Sequence, residues 1–183
     1  MRGSSARTPR APRRWRSLAA IVLCLASAQA RADDRFEQRA GYIDCGTVQV
    51  RALAECIEQS SACVNETLSF ARRAGRVIVP THTKYTEQVV STRKLKTADY
   101  IAQSWACIAG KAGGQYLVVV MTRADRRCTE CEYSRLYDLN GRLIATDFTF
   151  DAAGHVRPDR DGREMMLQVL GEPGQRRFQT VYR

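Results

Sequence analysis

The sequence predicts a disulfide-stabilised α+β domain, with an N-terminal helical segment followed by an antiparallel β-meander of about five strands, placed behind a cleaved export signal. Three observations predict it: an arginine-rich start that runs into a short apolar stretch, six cysteines beyond that stretch, and apolar residues at helical spacing over 47–70 that give way to strand-like alternation from Tyr100 onward.

The export signal accounts for the first 32 residues. Arg2, Arg7, Arg10, Arg13, Arg14 and Arg16 precede the apolar run Leu18–Ala28, and Ala-x-Ala cleavage sites end at Ala30 and Ala32. This is the layout of a bacterial secretory leader, and the run falls short of the roughly 20 residues that span a bilayer. Cys24 is preceded by Leu23, where lipoprotein processing wants a small residue, and Arg16 interrupts a twin-arginine context, so the general secretory route is expected. Residues 33–183 then form a single secreted domain in the periplasm or outside the cell. No further stretch is long enough to cross a membrane.

Cleavage also changes the charge. The full chain carries 29 basic and 19 acidic residues, a net charge of +10; the leader removes seven arginines and no acids, which leaves +3. A nucleic-acid partner is therefore not expected, because the basic excess belongs mainly to the leader.

The exported part holds Cys45, Cys56, Cys63, Cys107, Cys128 and Cys131. An even number in an oxidising compartment reads as disulfides, with fifteen complete pairings open. Cys128-Thr129-Glu130-Cys131 has the spacing of a thiol-exchange pair or of half a zinc site. A redox pair belongs at a helix start, whereas Cys131 leads into the alternating, strand-like Glu132–Tyr137. Zinc needs two further ligands, and the chain offers only His82 and His155. Structural disulfides are the expectation, without metal or cofactor.

The elements follow in order. Leu53, Ile57, Val64 and Leu68 recur at spacings of four and seven, and Cys56 and Cys63 are seven apart, so a helix, or two shorter ones, is expected between Thr47 and Phe70. Arg76–Val79 and Tyr85–Val90 read as short strands separated by Pro80. Gln115–Met121 is β-branched and buried in character, and the Gly-rich 109–114 before it makes Tyr100–Ile108 its hairpin partner, although 98–109 also suits a helix.

Tyr137-Asp138-Leu139-Asn140-Gly141-Arg142-Leu143 and Phe150-Asp151-Ala152-Ala153-Gly154-His155-Val156 share the form aromatic-Asp-x-x-Gly-x-aliphatic. In such a hairpin Asp closes the turn on its own backbone and Gly supplies positive φ. The form is similar to the hairpin unit of bacterial YD-repeat proteins, and the resemblance implies shared turn chemistry confined to these two segments. Asp159–Glu164 reads as a loop or helix start, Glu164–Leu170 as a helix ended by Gly171 and Pro173, and Arg177–Tyr182 as a last strand.

For function, the strongest pattern is a charge asymmetry. Arg72, Arg73, Arg76, Lys84, Arg93, Lys94 and Lys96 face a single acid, Glu87, a local charge of +6, while Asp33–Glu66 carries seven acids against three arginines. The basic residues are candidates for binding an anionic partner, either a protein or an envelope polymer. No nucleophile elbow, phosphate-cradling loop or zinc-protease motif occurs, and neither histidine has a recognisable catalytic companion. The expected role is binding, as an inhibitor, an immunity-like protein or an accessory factor. The alternatives are a small periplasmic enzyme, using Cys128 and Cys131 or a carboxylate pair such as Asp147 with Asp151 or Glu130 with Glu132, and a passive part of an envelope assembly.

Overall fold

The computed structural model describes residues 35–58, 62–82, 85–90, 93–123, 132–152, 156–172 and 177–182, all within one compact unit, Asp34–Arg183. It corrects the expected fold class. Among the described residues no N-terminal helical segment exists, and the architecture is antiparallel β with one short helix near the C-terminus.

The first sheet is a meander of β1 (Phe36–Cys45), β2 (Val48–Ile57), β3 (Cys63–Arg72) and β4 (Gly75–Pro80), in the order β1-β2-β3-β4. The segment expected to be helical thus forms most of β2 and β3. Val48, Val50, Ala52, Ala54 and Cys56 alternate on the buried face of β2, and Glu66, Leu68 and Phe70 alternate on that of β3. Two alanines carry the middle of the β2 stripe, and side chains of that size give the alternation little hydrophobic weight. The spacing of seven between Cys56 and Cys63 reflects a hairpin: the two residues lie opposite each other in the β2–β3 register and are disulfide-bonded.

The second sheet has the order β10-β9-β8-β7-β13, from β7 (Tyr100–Ala109), β8 (Gln115–Arg123), β9 (Glu132–Asp138), β10 (Leu143–Thr146) and β13 (Gln179–Thr180). Residues 98–109 therefore belong to a strand from Tyr100 on, the hairpin partner of β8. A bulge around Gln103 keeps that strand useful: the extra residue shifts its parity, so that Tyr100 and Ala102 before it and Trp105 and Cys107 after it all serve the same core. Two small hairpins complete the strands, β5 (Tyr85–Val90) with β6 (Arg93–Ala98) and β11 (Phe148–Phe150) with β12 (Val156–Pro158).

The inward faces of the two sheets share one core. Ile43, Val48, Val50, Leu68 and Phe70 from the first meet Trp105, Leu117, Val119, Met121, Tyr133 and Tyr137 from the second, with Phe148 and Val181. A second bond, Cys45–Cys107, fastens β1 to β7 with Cα atoms 5.4 Å apart. On the outer face of the second sheet, Val118, Leu136 and Ala145 are covered by Leu170, Met166 and Val169 of α1 (Arg160–Leu170). Asp159 caps the start of α1 by accepting from the Gly162 N–H at 3.1 Å, and Gly171 ends it at φ 81° with its N–H donating to the Leu167 carbonyl at 2.8 Å.

The Tyr137–Leu143 turn forms as its chemistry predicts. Asp138 Oδ1 accepts from the N–H groups of Asn140 and Arg142, at 2.8 and 2.9 Å, and Gly141 has φ 82°. In the related second segment, residues 153–155 lie outside the described residues; Asp151 there pairs with Arg157 at 3.2 Å.

The C-terminal segment closes the seam between the sheets. Gln179 and Thr180 pair with Trp105 and Ser104, the Val181 N–H donates to the Gln103 carbonyl at 2.9 Å, and the Val181 carbonyl rests on Gly41 of β1. A Cβ at Gly41 would collide with that carbonyl, so the strand must be bare at this point. Gly41→Ala is expected to cost about 1 to 3 kcal/mol through overpacking, read as a lower urea midpoint; an unchanged midpoint would mean that the C-terminal segment yields without cost.

Candidate binding surface

The structure divides the basic segment between two hairpins. Arg72 ends β3, Arg73 and Ala74 form the turn, and Arg76 follows Gly75 at the start of β4. All three arginines are exposed and make no ion pair among the described residues. Lys94 and Lys96 are exposed on β6, Arg93 begins that strand, and Lys84 lies outside the described residues. Sequence proximity had grouped these residues, whereas the topology places them in two different sheets.

The first group has an exposed apolar companion. Phe70 lies opposite Val77 and Ser69 opposite Ile78. Directly paired residues share a face, so Val77 stands on the core side and Ile78 on the outer side. The core side is thin here, because β4 is the last strand of its sheet, and Val77 and Ile78 remain 47% and 61% exposed. Val77 still supports the fold, since its Cγ1 lies where a Cβ on Gly141 of the β9–β10 turn would come within 3.1 Å. The outer face continues across the sheet through Arg51, whose guanidinium sits 5.3 Å from the Tyr42 ring centroid.

A buried polar cluster lies between the sheets and was not foreseen. Glu66 is fully buried. Its carboxylate accepts from the Ala102 N–H at 3.0 and 2.9 Å and from the hydroxyls of Thr81 and Tyr182. Arg135 faces the same space, donates to the Thr81 carbonyl and lies 5.4 Å from the Phe148 ring centroid. Burial raises the Glu66 carboxyl above its ordinary range, against the lowering effects of Thr81, Tyr182, the Ala102 N–H and Arg135. Burial likewise raises Tyr182, with Glu66 adding to it. With every partner internal and no exposed surface, this carboxylate holds β3, β7 and the C-terminal segment together. Its sequence signal was a charged residue in phase with Leu68 and Phe70, readable only once the strand period is known.

A cleft of about 440 Å³ opens between α1 and the outer face of the second sheet, lined among others by Val118, Met166, Leu167, Leu170 and Phe178, with Asp147 and Arg163 at its polar side. Burial raises the Asp147 carboxyl, opposed by the Ser134 N–H and by Arg163. Asp147 Oδ1 accepts from the Ser134 N–H at 2.7 Å, so the side chain braces β9.

Of the two carboxylate pairs read from sequence, Asp147 and Asp151 do not come together. Asp147 and Asp151 flank the extended β11, their Cα atoms roughly 13 Å apart at about 3.3 Å per residue, and each is engaged elsewhere. Glu132 starts β9, and Glu130 is outside the described residues. Cys45, Cys56, Cys63 and Cys107 are consumed in disulfides, while Cys128, Cys131 and His155 are outside the described residues. His82 stacks on Tyr85 with ring centroids 4.4 Å apart. Among the described residues no group of three His, Cys, Asp or Glu side chains could hold a metal ion, and no helix is long and apolar enough to cross a membrane.

The fold and surface define a disulfide-linked antiparallel β domain with a basic hairpin at one sheet edge. No family model, curated protein or solved structure matches the chain.

Proposed function

We propose that this chain is an exported binding domain that captures an anionic partner through the β3–β4 hairpin. The observation that carries the reading is the joint exposure of Arg72, Arg73 and Arg76 beside Val77 and Ile78 on an outer strand. Such a surface offers long-range attraction from the guanidinium groups and short-range burial from the aliphatic ones. The leader-like first 32 residues and the two disulfides support a periplasmic or secreted site of action, where thiols oxidise.

The test uses the natively exported protein on immobilised polyglutamate over a series of salt concentrations. The R72E/R73E/R76E variant is expected to bind about tenfold more weakly or worse and to lose most of the salt dependence, because reversal turns attraction into repulsion. The K94E/K96E variant is expected to change less, as those lysines belong to another hairpin. Equal retention of the wild type and the triple variant, or no retention of the wild type at low salt, would sink the reading.

A further inference from the structure

We propose that the partner at this surface is an extended acidic segment of another protein, which adds to the first sheet as a fifth strand along the free edge of β4. The inference rests on the binding role assigned above to the β3–β4 hairpin and gives it a mode.

The four outer edges of the two main sheets are treated differently. At β1 the Val181 carbonyl lies against Gly41 and Cys45 is bonded to Cys107. At β10, four residues long, α1 packs so closely that a Cβ on Gly162 would strike the Thr146 carbonyl. The remaining edge of the second sheet, β13, is two residues long. β4 is six residues long and pairs only with β3 among the described residues.

An open strand edge presents unpaired N–H and C=O groups, and natural edges are shielded by charges, bulges or proline. β4 has such guards only at its ends, Arg76 and Pro80, with Val77, Ile78 and Val79 between them. That middle is long enough to template a strand.

Charge sets the partner's chemistry and direction. Arg72, Arg73 and Arg76 cluster where β4 begins, and Pro80, which has no N–H, closes the other end. A segment added antiparallel therefore brings its C-terminal end to the arginines, and acidic residues belong there. Opposite Val77 and Ile78 it places apolar or β-branched residues, one on each face. The geometry selects a short run of β-formers followed by acids. A polyphosphate or a lipid headgroup would engage the arginines alone and leave the apolar middle of β4 unused.

The experiment measures fluorescence anisotropy of a labelled probe with the full exported chain. The probe is a peptide of roughly eight residues, alternating threonine and valine and ending in glutamates, the length of an ordinary strand. Two further versions carry backbone N-methyl groups on alternate residues, so that each blocks one edge of the probe without changing its charge.

The expected result is that one methylated version loses about tenfold or more in affinity while the other binds like the parent, with slowed amide exchange over residues 75–79. Equal binding of both methylated versions would overturn strand addition and leave the electrostatic surface standing. Binding of polyphosphate or anionic vesicles without the peptide would overturn the polypeptide partner. A chain that is dimeric through β4, and that the probe dissociates, would assign the edge to a second copy instead. Failure of the parent probe together with unchanged polyglutamate retention by R72E/R73E/R76E would remove the binding role itself.

Discussion

Glu66→Ala is expected to remove about 3 to 5 kcal/mol of stability, enough to leave the domain partly unfolded at growth temperature if its total lies in the usual range of about 5 to 15 kcal/mol. The substitution takes away the acceptor of the Ala102 N–H and of the Thr81 and Tyr182 hydroxyls, and it strands the buried Arg135 charge without its nearby carboxylate. The residues left behind carry the cost, because each has already given up water. Glu66→Gln keeps the shape and one acceptor oxygen and is expected to cost about 1 to 2 kcal/mol. Urea denaturation of the two variants would distinguish this arrangement from a passive one, in which both cost the same.

The same pair has a pH signature. Burial raises the Glu66 carboxyl above its ordinary 4.5, so just above that pH the folded protein retains a proton that the unfolded chain has released. The folded state then binds more protons, and stability falls as pH rises. The contribution is full below about pH 4.5 and is lost as pH climbs through the folded value. The stability advantage of the wild type over Glu66→Gln should therefore shrink with rising pH across that window. A difference that stays flat, or that grows, would mean that the carboxyl is not raised.

The second large effect concerns the bond between the sheets. Cys45–Cys107 closes a loop with a separation of 62 residues, and Cys56–Cys63 one of only seven. Loop-closure entropy gives about 4 kcal/mol for the former and about 2 kcal/mol for the latter. The C45A/C107A double variant should accordingly lose about twice the stability of C56A/C63A in urea unfolding. The inequality has a structural reading as well. β2 and β3 remain paired without their disulfide, whereas the other bond ties strands from different sheets. Equal losses would place the effect in native-state packing rather than in the unfolded chain.

The strands from Tyr100 onward were legible, as were the short strands at Arg76–Val79 and Tyr85–Val90, whereas residues 47–70 were not, for reasons that their composition makes plain. From Tyr100 onward the strands are built of Val, Ile, Leu and aromatic residues, and their turns are marked by Gly or by Asp138, so period and punctuation agree. In β2 the core positions Ala52 and Ala54 are small, and in β3 the first inward side chain after Cys63 is Glu66. A stripe interrupted by small and charged residues loses its period of two, and the surviving apolar residues happen to fall near 3.6. The candidate surface was half legible: the arginines could be named from charge alone, but the exposure of Val77 and Ile78 depends on β4 being last in its sheet, which is a property of topology. Glu66 and Arg135 were illegible as a cluster because their juxtaposition is made by two sheets coming together.

Tyr182 reaches back 116 residues to Glu66, and Val181 covers Gly41. For a chain made from its N-terminus, the first sheet must therefore wait for Val181 and Tyr182 before its buried carboxylate and its β1 edge are satisfied. Contacts of such long sequence separation are slow to form, so the buried Glu66 cluster and the β1 edge close late in folding.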